Sequence, residues 1–430
     1  MTLTMTTKAT THRRALALLC AMPMLAPAAN LPVAGKAEEL GFSSDRLKRI
    51  HETMQQHIAA HDITGAVTLV MRKGRLAHFE AHGMADVESK KPMTKDALFR
   101  IWSMSKPVTG VAILMLMEEG KVRLNDPVSR FIPEFKGMKV AMLQPSESGA
   151  PPAPSDKVEF STIDAKREIT IQDLLTHVSG LGSGRASSAE IAKLTNTKRI
   201  GKTLSDVIPL WGRTPLDFQP GSRYTYSPLA AFDTLGRLVE IVSGMPFDRF
   251  LRERIFDPLG MKEAFFVPAS EAQRARIPTV YHRADGALKA TKAINELFEP
   301  TYFSGGGGLM ATTEEYAKFG AMLAAGGIWN GKRLLSPKTV ELMGSVFVPD
   351  TLPGREPGRG YGLSVQVVND PVRAGYRVGE GAFGWDGAYG THFWVDPKEK
   401  IVGLMMIQVD NSNRQLDRDF ENAVMQAVVE

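Results

Sequence analysis

Ser103 and Lys106, in the run Ser-Met-Ser-Lys, stand where a strand-like stretch (97–102) gives way to a long apolar segment. A serine hydroxyl is a weak nucleophile until a base takes its proton. A lysine can be that base only when its pKa is lowered by a dry pocket or a neighbouring cation. On a helix, positions i and i+3 share a face, so the Lys106 amine falls beside the Ser103 hydroxyl. The start of a helix adds backbone N–H groups and the positive end of the macrodipole. The pair therefore points to an activated serine. Ser-x-x-Lys is short, and roughly one or two chance occurrences are expected in a chain of this size. Taken alone, the motif competes with a simple N-cap serine beside a solvated lysine.

Two further segments have suitable chemistry. Pro220-Gly-Ser-Arg-Tyr224-Thr-Tyr226-Ser-Pro228 is turn-rich and leads into a helix. A tyrosine held near a lysine can shuttle protons, and two tyrosines compete for that role here; as isolated residues both read as packing groups. Phe383-Gly-Trp385-Asp-Gly387-Ala388-Tyr-Gly-Thr-His392 precedes a strand. Glycines at an edge strand admit a ligand close to the backbone, and an N–H there can complete an oxyanion hole. The plainer alternative is a bend between strands.

The elements that must position these groups follow from periodicity. Residues 43–62 carry Leu47, Ile50, Met54 and Ile58 at helical spacing behind a serine cap. Segments 65–71 and 75–83 read as strands joined by a Lys73-Gly74 turn. Residues 103–119 form a helix apolar on every side, which is a central position. Helical patterns follow at 170–177, 187–197, 203–209, 229–243, 247–255, 312–325 and 336–345. Strand patterns return at 360–368, 373–379, 391–396 and 400–408, before a last helix at 414–429. The expected fold is α+β: one antiparallel sheet built from both chain ends, flanked by helices, with a mostly helical domain inserted. The expected division is a leader at 1–30, an α/β part at 38–104, a mainly helical domain at 105–305 and a second α/β part at 306–430. A Pro/Ser/Gly-rich loop at 138–165 interrupts the helical domain.

The composition is that of a globular protein, 43% hydrophobic and 23% charged. Of the net charge of +5, three units sit in Lys8, Arg13 and Arg14 of the acid-free first thirty residues, so the body carries only +2. The remaining charges are interspersed, which excludes the basic stripe of a nucleic-acid binder. The single cysteine, Cys20, lies in the leader, so the body has no disulfide. Basic residues, the apolar run 15–25 and Ala26-Pro-Ala-Ala29 compose an export signal. They place the mature protein in the periplasm or outside the cell; the alternative is an uncleaved N-terminus in the cytoplasm. No stretch is apolar enough for stable membrane insertion.

In their order, the three motifs resemble the serine β-lactamase and penicillin-binding superfamily, whose Ser-x-x-Lys signature opens its site. They are most similar to family VIII carboxylesterases of class C β-lactamase-like fold. The resemblance covers about 40–428 and is supported by 120–128, 169–181 and 307–313. It implies that Ser103 is the acylated nucleophile, Lys106 its base, and Tyr226, six residues after Pro220, the tyrosine of a Tyr-x-Asn motif. It sets Trp385-Asp386-Gly387 where β-lactamases have Lys-Thr-Gly, and makes the oxyanion hole from the N–H groups of Ser103 and Ala388, with Trp385 and Gly387 beside the substrate. It implies a small-molecule ester substrate and no cofactor, and leaves the oligomeric state open.

Two departures matter. Pro228 replaces the motif's asparagine, and Trp385 replaces a lysine that would pair with the carboxylate of a β-lactam. Both shift the expected substrate toward short, neutral esters, with weak cephalosporin hydrolysis retained from the family. The alternatives are a class C-type β-lactamase, a D-alanyl-D-alanine carboxypeptidase, or an inactive binder of envelope ligands. There is no Gly-x-Ser-x-Gly elbow. His57 and His61, and likewise His78 and His82, lack the further ligands of a zinc site, so no metal is expected. His177 reads as a structural hydrogen-bonding residue. The glycines at 305–308 read as close packing near the site.

Overall fold

The computed structural model describes residues 2, 31–143, 159–195, 201–292 and 301–430. The leader, Cys20 and the centre of the expected 138–165 loop lie outside the described residues.

Ser43 caps the first helix, α1 (Ser44–Ala59), by accepting the N–H of Arg46. Two long strands follow, β1 (Gly65–Arg72) and β2 (Arg75–Asp86), and then a short β3 (Lys91–Pro92). The apolar helix α2 (Ser105–Glu118) is buried without interruption from Ser105 to Leu116. The middle of the chain supplies α3 (Ala230–Ser243) and α4 (Thr313–Ala324). The chain closes with β4 (Arg359–Tyr361), β5 (Gln366–Val368), β6 (Phe383–Asp386), β7 (His392–Asp396), β8 (Ile401–Met406) and α5 (Gln415–Met425).

The strands from both ends form one eight-stranded sheet in the order β4-β5-β6-β7-β8-β1-β2-β3, with antiparallel pairing throughout. The junction of the two ends is β1 against β8, with Leu69 opposite Leu404. Side chains alternate across a strand, so β1 feeds two cores. Val67, Leu69 and Met71 pack with α2 and α4 on one face. Ala66 and Val70 pack with α1 and α5 on the other. The result is a helix–sheet–helix sandwich.

Several local expectations are corrected. The segment 360–368 is two strands, because Ser364 at φ 68° reverses the chain between β4 and β5. The segment 373–379 is no strand. Pro371–Ala374 is a short helix with Asp370 capping it, proline in its first turn and Gly375 at φ 68° ending it. The expected loop at 138–165 begins and ends as a hairpin, Lys139–Leu143 against Phe160–Asp164. A further hairpin, Val280–Ala284 with Ala287–Thr291, had no counterpart in the expected element order. Residues 383–386, read as part of a glycine-rich bend, are strand β6.

Candidate active site

Ser103 sits in a single 3-10 turn, Trp102–Met104, and α2 proper begins two residues later. Trp102 holds φ at 44°, a left-handed backbone that is rare for a bulky side chain. Such a conformation costs on the order of 1–3 kcal/mol and persists only where the surroundings impose it. It lies immediately before the serine that the motif singled out.

Lys106 is wholly buried. Its Nζ lies 2.9 Å from Ser103 Oγ and 2.7 Å from each of the carbonyl oxygens of Pro228 and Gly306. As an ammonium ion the group has three donors and no acceptor; as an amine it has two N–H bonds and one lone pair. The two carbonyls can only accept, so when the amine is neutral they take its two N–H bonds and its lone pair is left for Ser103 Oγ. Burial favours that neutral form and lowers the Lys106 pKa, although Tyr226 and then Asp233 act in the opposite sense. The geometry can therefore draw a proton from the serine. Pro228, which deletes an amide side chain, contributes its backbone carbonyl to the lysine.

Tyr226 donates its hydroxyl to Ser103 Oγ at 2.6 Å, and its ring lies 4.9 Å from Lys106 Nζ. Tyr224 is buried against Tyr361, and burial raises its pKa far above the ordinary 10. Of the two competing tyrosines, only Tyr226 reaches the serine–lysine pair. His177 explains why. Its carbonyl accepts the N–H of Thr225 and its Nδ1 accepts the N–H of Ser227, each at 3.1 Å, so both neighbours of Tyr226 are tied to one residue. The His177 ring packs against that of Tyr226, tilted by 59° with centres 4.7 Å apart. Burial, reinforced by the charge of Arg355, holds the imidazole well below its ordinary 6.5, so Nδ1 stays an acceptor.

Asp233 on α3 was not singled out in the sequence. Fully buried, it accepts from Tyr302 Oη at 2.7 Å, Ser304 Oγ at 2.6 Å and the Gly306 amide at 3.0 Å. It thereby fixes the turn whose Gly306 carbonyl holds Lys106. A side chain at Gly305 would meet the Phe232 carbonyl oxygen at 2.5 Å, which accounts for glycine there.

Ser103, Tyr226, Trp385, Gly387 and Ala388 line one cavity of about 640 Å³. Strand β6 reaches it past the end of β5, which pairs only with Phe383 and Gly384. Trp385 packs at 5.5 Å from Tyr226 and edge-on to Tyr361 at 5.1 Å. Gly387 lies directly against the chain leading to Ser103: a Cβ there would stand 2.5 Å from Ile101 O. This close approach carries Ala388 to the serine's side of the cavity. Arg355, also missed in the sequence, lines the same cavity. Its guanidinium lies 4.4 Å from the Tyr224 ring centre and donates to the carbonyls of Arg359 and Gly360. The cavity therefore keeps a fixed cation although position 385 is tryptophan.

Residues 50–427 match the Beta-lactamase family profile. The chain belongs to the Beta-lactamase family. Within the family, Protein Rv1367c of Mycobacterium tuberculosis is 35% identical over 80% of this chain and 86% of its own length. Esterase EstB of Burkholderia gladioli is 28% identical over 88% of this chain and 94% of its own. Among solved structures, EstCE1, described as a hydrolase with promiscuous acyltransferase activity, superposes with a TM-score of 0.76. It is 25% identical, over 89% of this chain and 99% of its own. These relatives support a serine hydrolase of the β-lactamase superfamily. Among the described residues no helix is long and apolar enough to cross a membrane.

Proposed function

We propose that this member of the Beta-lactamase family is a family VIII-type carboxylesterase that cleaves short, neutral esters through an acyl-enzyme on Ser103. The observation that carries the proposal is the arrangement around the buried Lys106 Nζ, which lies within hydrogen-bond distance of Ser103 Oγ and of the Pro228 and Gly306 carbonyls.

In the first half-reaction Ser103 Oγ attacks the ester carbonyl carbon and its proton passes to Lys106. The carbonyl oxygen becomes an oxyanion, held by the N–H groups of Ser103 and Ala388. Collapse breaks the bond to the alcohol oxygen, which takes the Tyr226 proton; Lys106 replaces that proton on Tyr226. Water then attacks the acyl-enzyme along the reverse proton route and releases the acid. Trp385 beside Tyr226 and Tyr361 gives the substrate an aromatic wall, which suits an uncharged acyl or alkoxy group.

A second reading, a class C-type β-lactamase or D-alanyl-D-alanine carboxypeptidase, draws on Arg355, a cation that could face a substrate carboxylate. A protein that only binds envelope ligands would not need a buried base on the serine. Comparing turnover of p-nitrophenyl butyrate and nitrocefin separates the first two. Ester turnover is expected to exceed nitrocefin turnover greatly; the reverse order would overturn the ester preference. We also read 1–30 as an export leader that sends the enzyme to the periplasm or beyond, which N-terminal sequencing of the mature protein from its host would test.

A further inference from the structure

The sheet carries a second constellation on the face away from Ser103. His51 of α1 and Glu80 and His82 of β2 present ligand atoms that all lie within 4.8 Å of one another. Glu80 Oε1 is 2.7 Å from His51 Nδ1 and 3.9 Å from His82 Nδ1. Four ligands at the Zn–N and Zn–O distances of a tetrahedral zinc site stand about 3.4 Å apart, between these two values. Closing the triad around an ion needs local movement of side chains and no change of backbone.

The decisive atom is His82 Nδ1. His82 is 2% exposed, and this nitrogen has no hydrogen-bond partner among the described residues. A buried ring nitrogen left without a partner is costly, and this one faces the Glu80 carboxylate at 3.9 Å. The other nitrogen, Nε2, is held at 2.8 Å by Thr68 Oγ1. Thr68 is fully buried and stands equally close to His78 Nε2. An oxygen acceptor on the far nitrogen fixes the ring's orientation and tautomer, as outer partners do for metal-bound histidines. His51 and Glu80 are half-exposed, which gives an ion its path in and solvent its fourth position.

We propose that His51, Glu80 and His82 form a binding site for a divalent transition-metal cation of the zinc type. Two imidazoles and one carboxylate suit such an ion and not a hard, all-oxygen one. The bound ion ties α1 to β2. Ala66 and Val70 of β1 share this face with α1, whereas Val67 and Leu69 face the core around Met104, so the ion stays remote from the serine chemistry. The pair spacing of histidines within either α1 or β2 conceals the site in the sequence, because its ligands come from both elements.

The test is calorimetric titration of Zn²⁺ into the full-length protein after chelator treatment, with visible absorption of bound Co²⁺ as a second readout. One tight equivalent is expected. His51→Ala and Glu80→Gln alter exposed side chains and should each weaken it by at least about tenfold. Both variants should abolish the Co²⁺ bands and keep wild-type ester hydrolysis, which reports that the fold is intact. Failure to find a saturable equivalent would overturn the proposal. So would its retention in His51→Ala, which would assign the metal to the other convergent group, Asp386, His392 and Asp417.

Discussion

His177 accepts the Ser227 amide N–H through its Nδ1 at 3.1 Å, and so fixes the peptide that follows Tyr226. Its role is to position the tyrosine, since its own nitrogen contacts the backbone and not Ser103. His177→Phe keeps an aromatic ring and removes the acceptor. Misplacement by about an ångström can cost up to about a hundredfold in rate. The expected result is a kcat loss of that order with KM nearly unchanged. His177→Asn, which can return an amide oxygen near the Nδ1 position, should recover part of it. A proportional change in KM alone would contradict the positioning role.

Tyr226 and Tyr224 are two residues apart, yet only Tyr226 touches Ser103. Removing a positioned proton donor costs about 10²–10⁴-fold. Tyr226→Phe should lower kcat by that amount, whereas Tyr224→Phe should leave it within a few-fold. Steady-state hydrolysis of p-nitrophenyl butyrate by both variants decides the assignment.

Lys106 gives the pH dependence its sign. Its charged form cannot accept a proton, so kcat/KM should fall on the acid side as pH drops through the lysine's lowered pKa. Lys106→Arg, which stays charged, should be inactive at every accessible pH. Stability follows the same lysine. The unfolded chain holds the proton up to the ordinary value of 10.5, while the folded state releases it at lower pH because of burial. Between those two values the unfolded state binds more protons, so the unfolding free energy should rise with pH. Urea unfolding across that interval should show the rise in the wild type and its loss in Lys106→Met.

Gly387 has no room for a side chain. A Cβ would lie 2.1 Å from Thr391 Oγ1 and 2.5 Å from Ile101 O. Gly387→Ala must push β6 away from the chain leading to Ser103. A destabilisation of about 1–3 kcal/mol is expected from such overpacking, together with a loss of kcat because Ala388 moves with the strand. Chemical denaturation and single-turnover acylation measure the two effects separately.

Much of this architecture was legible in the sequence where periodicity was strong. The amphipathic repeat of α1, the all-apolar α2 and the strands β1 and β2 flanking the Lys73-Gly74 turn appear close to their expected positions. The i,i+3 spacing of Ser103 and Lys106 drew attention to the pair, although Ser103 sits in the 3-10 turn just before α2 and not on the helix itself. The partners that were missed come from distant chain segments. Asp233 acts through Gly306, seventy-three residues later, and the role of the Pro228 carbonyl has no side-chain signature. Arg355 is one arginine among many until the fold sets it against Tyr224. Some errors had readable signals. Asp370-Pro371 with Gly375 is a capped-helix signature, and Asp285-Gly286, both at positive φ, is a hairpin turn.

The identity of the nucleophile is tested most directly by covalent labelling. A fluorophosphonate probe should add one phosphonyl group per chain, mapped by mass spectrometry of peptides to Ser103, with ester hydrolysis lost in parallel. Ser103→Ala should take up no label and lose activity by a factor on the order of 10³ or more. Label on another residue, or hydrolysis that persists in Ser103→Ala, would contradict the mechanism.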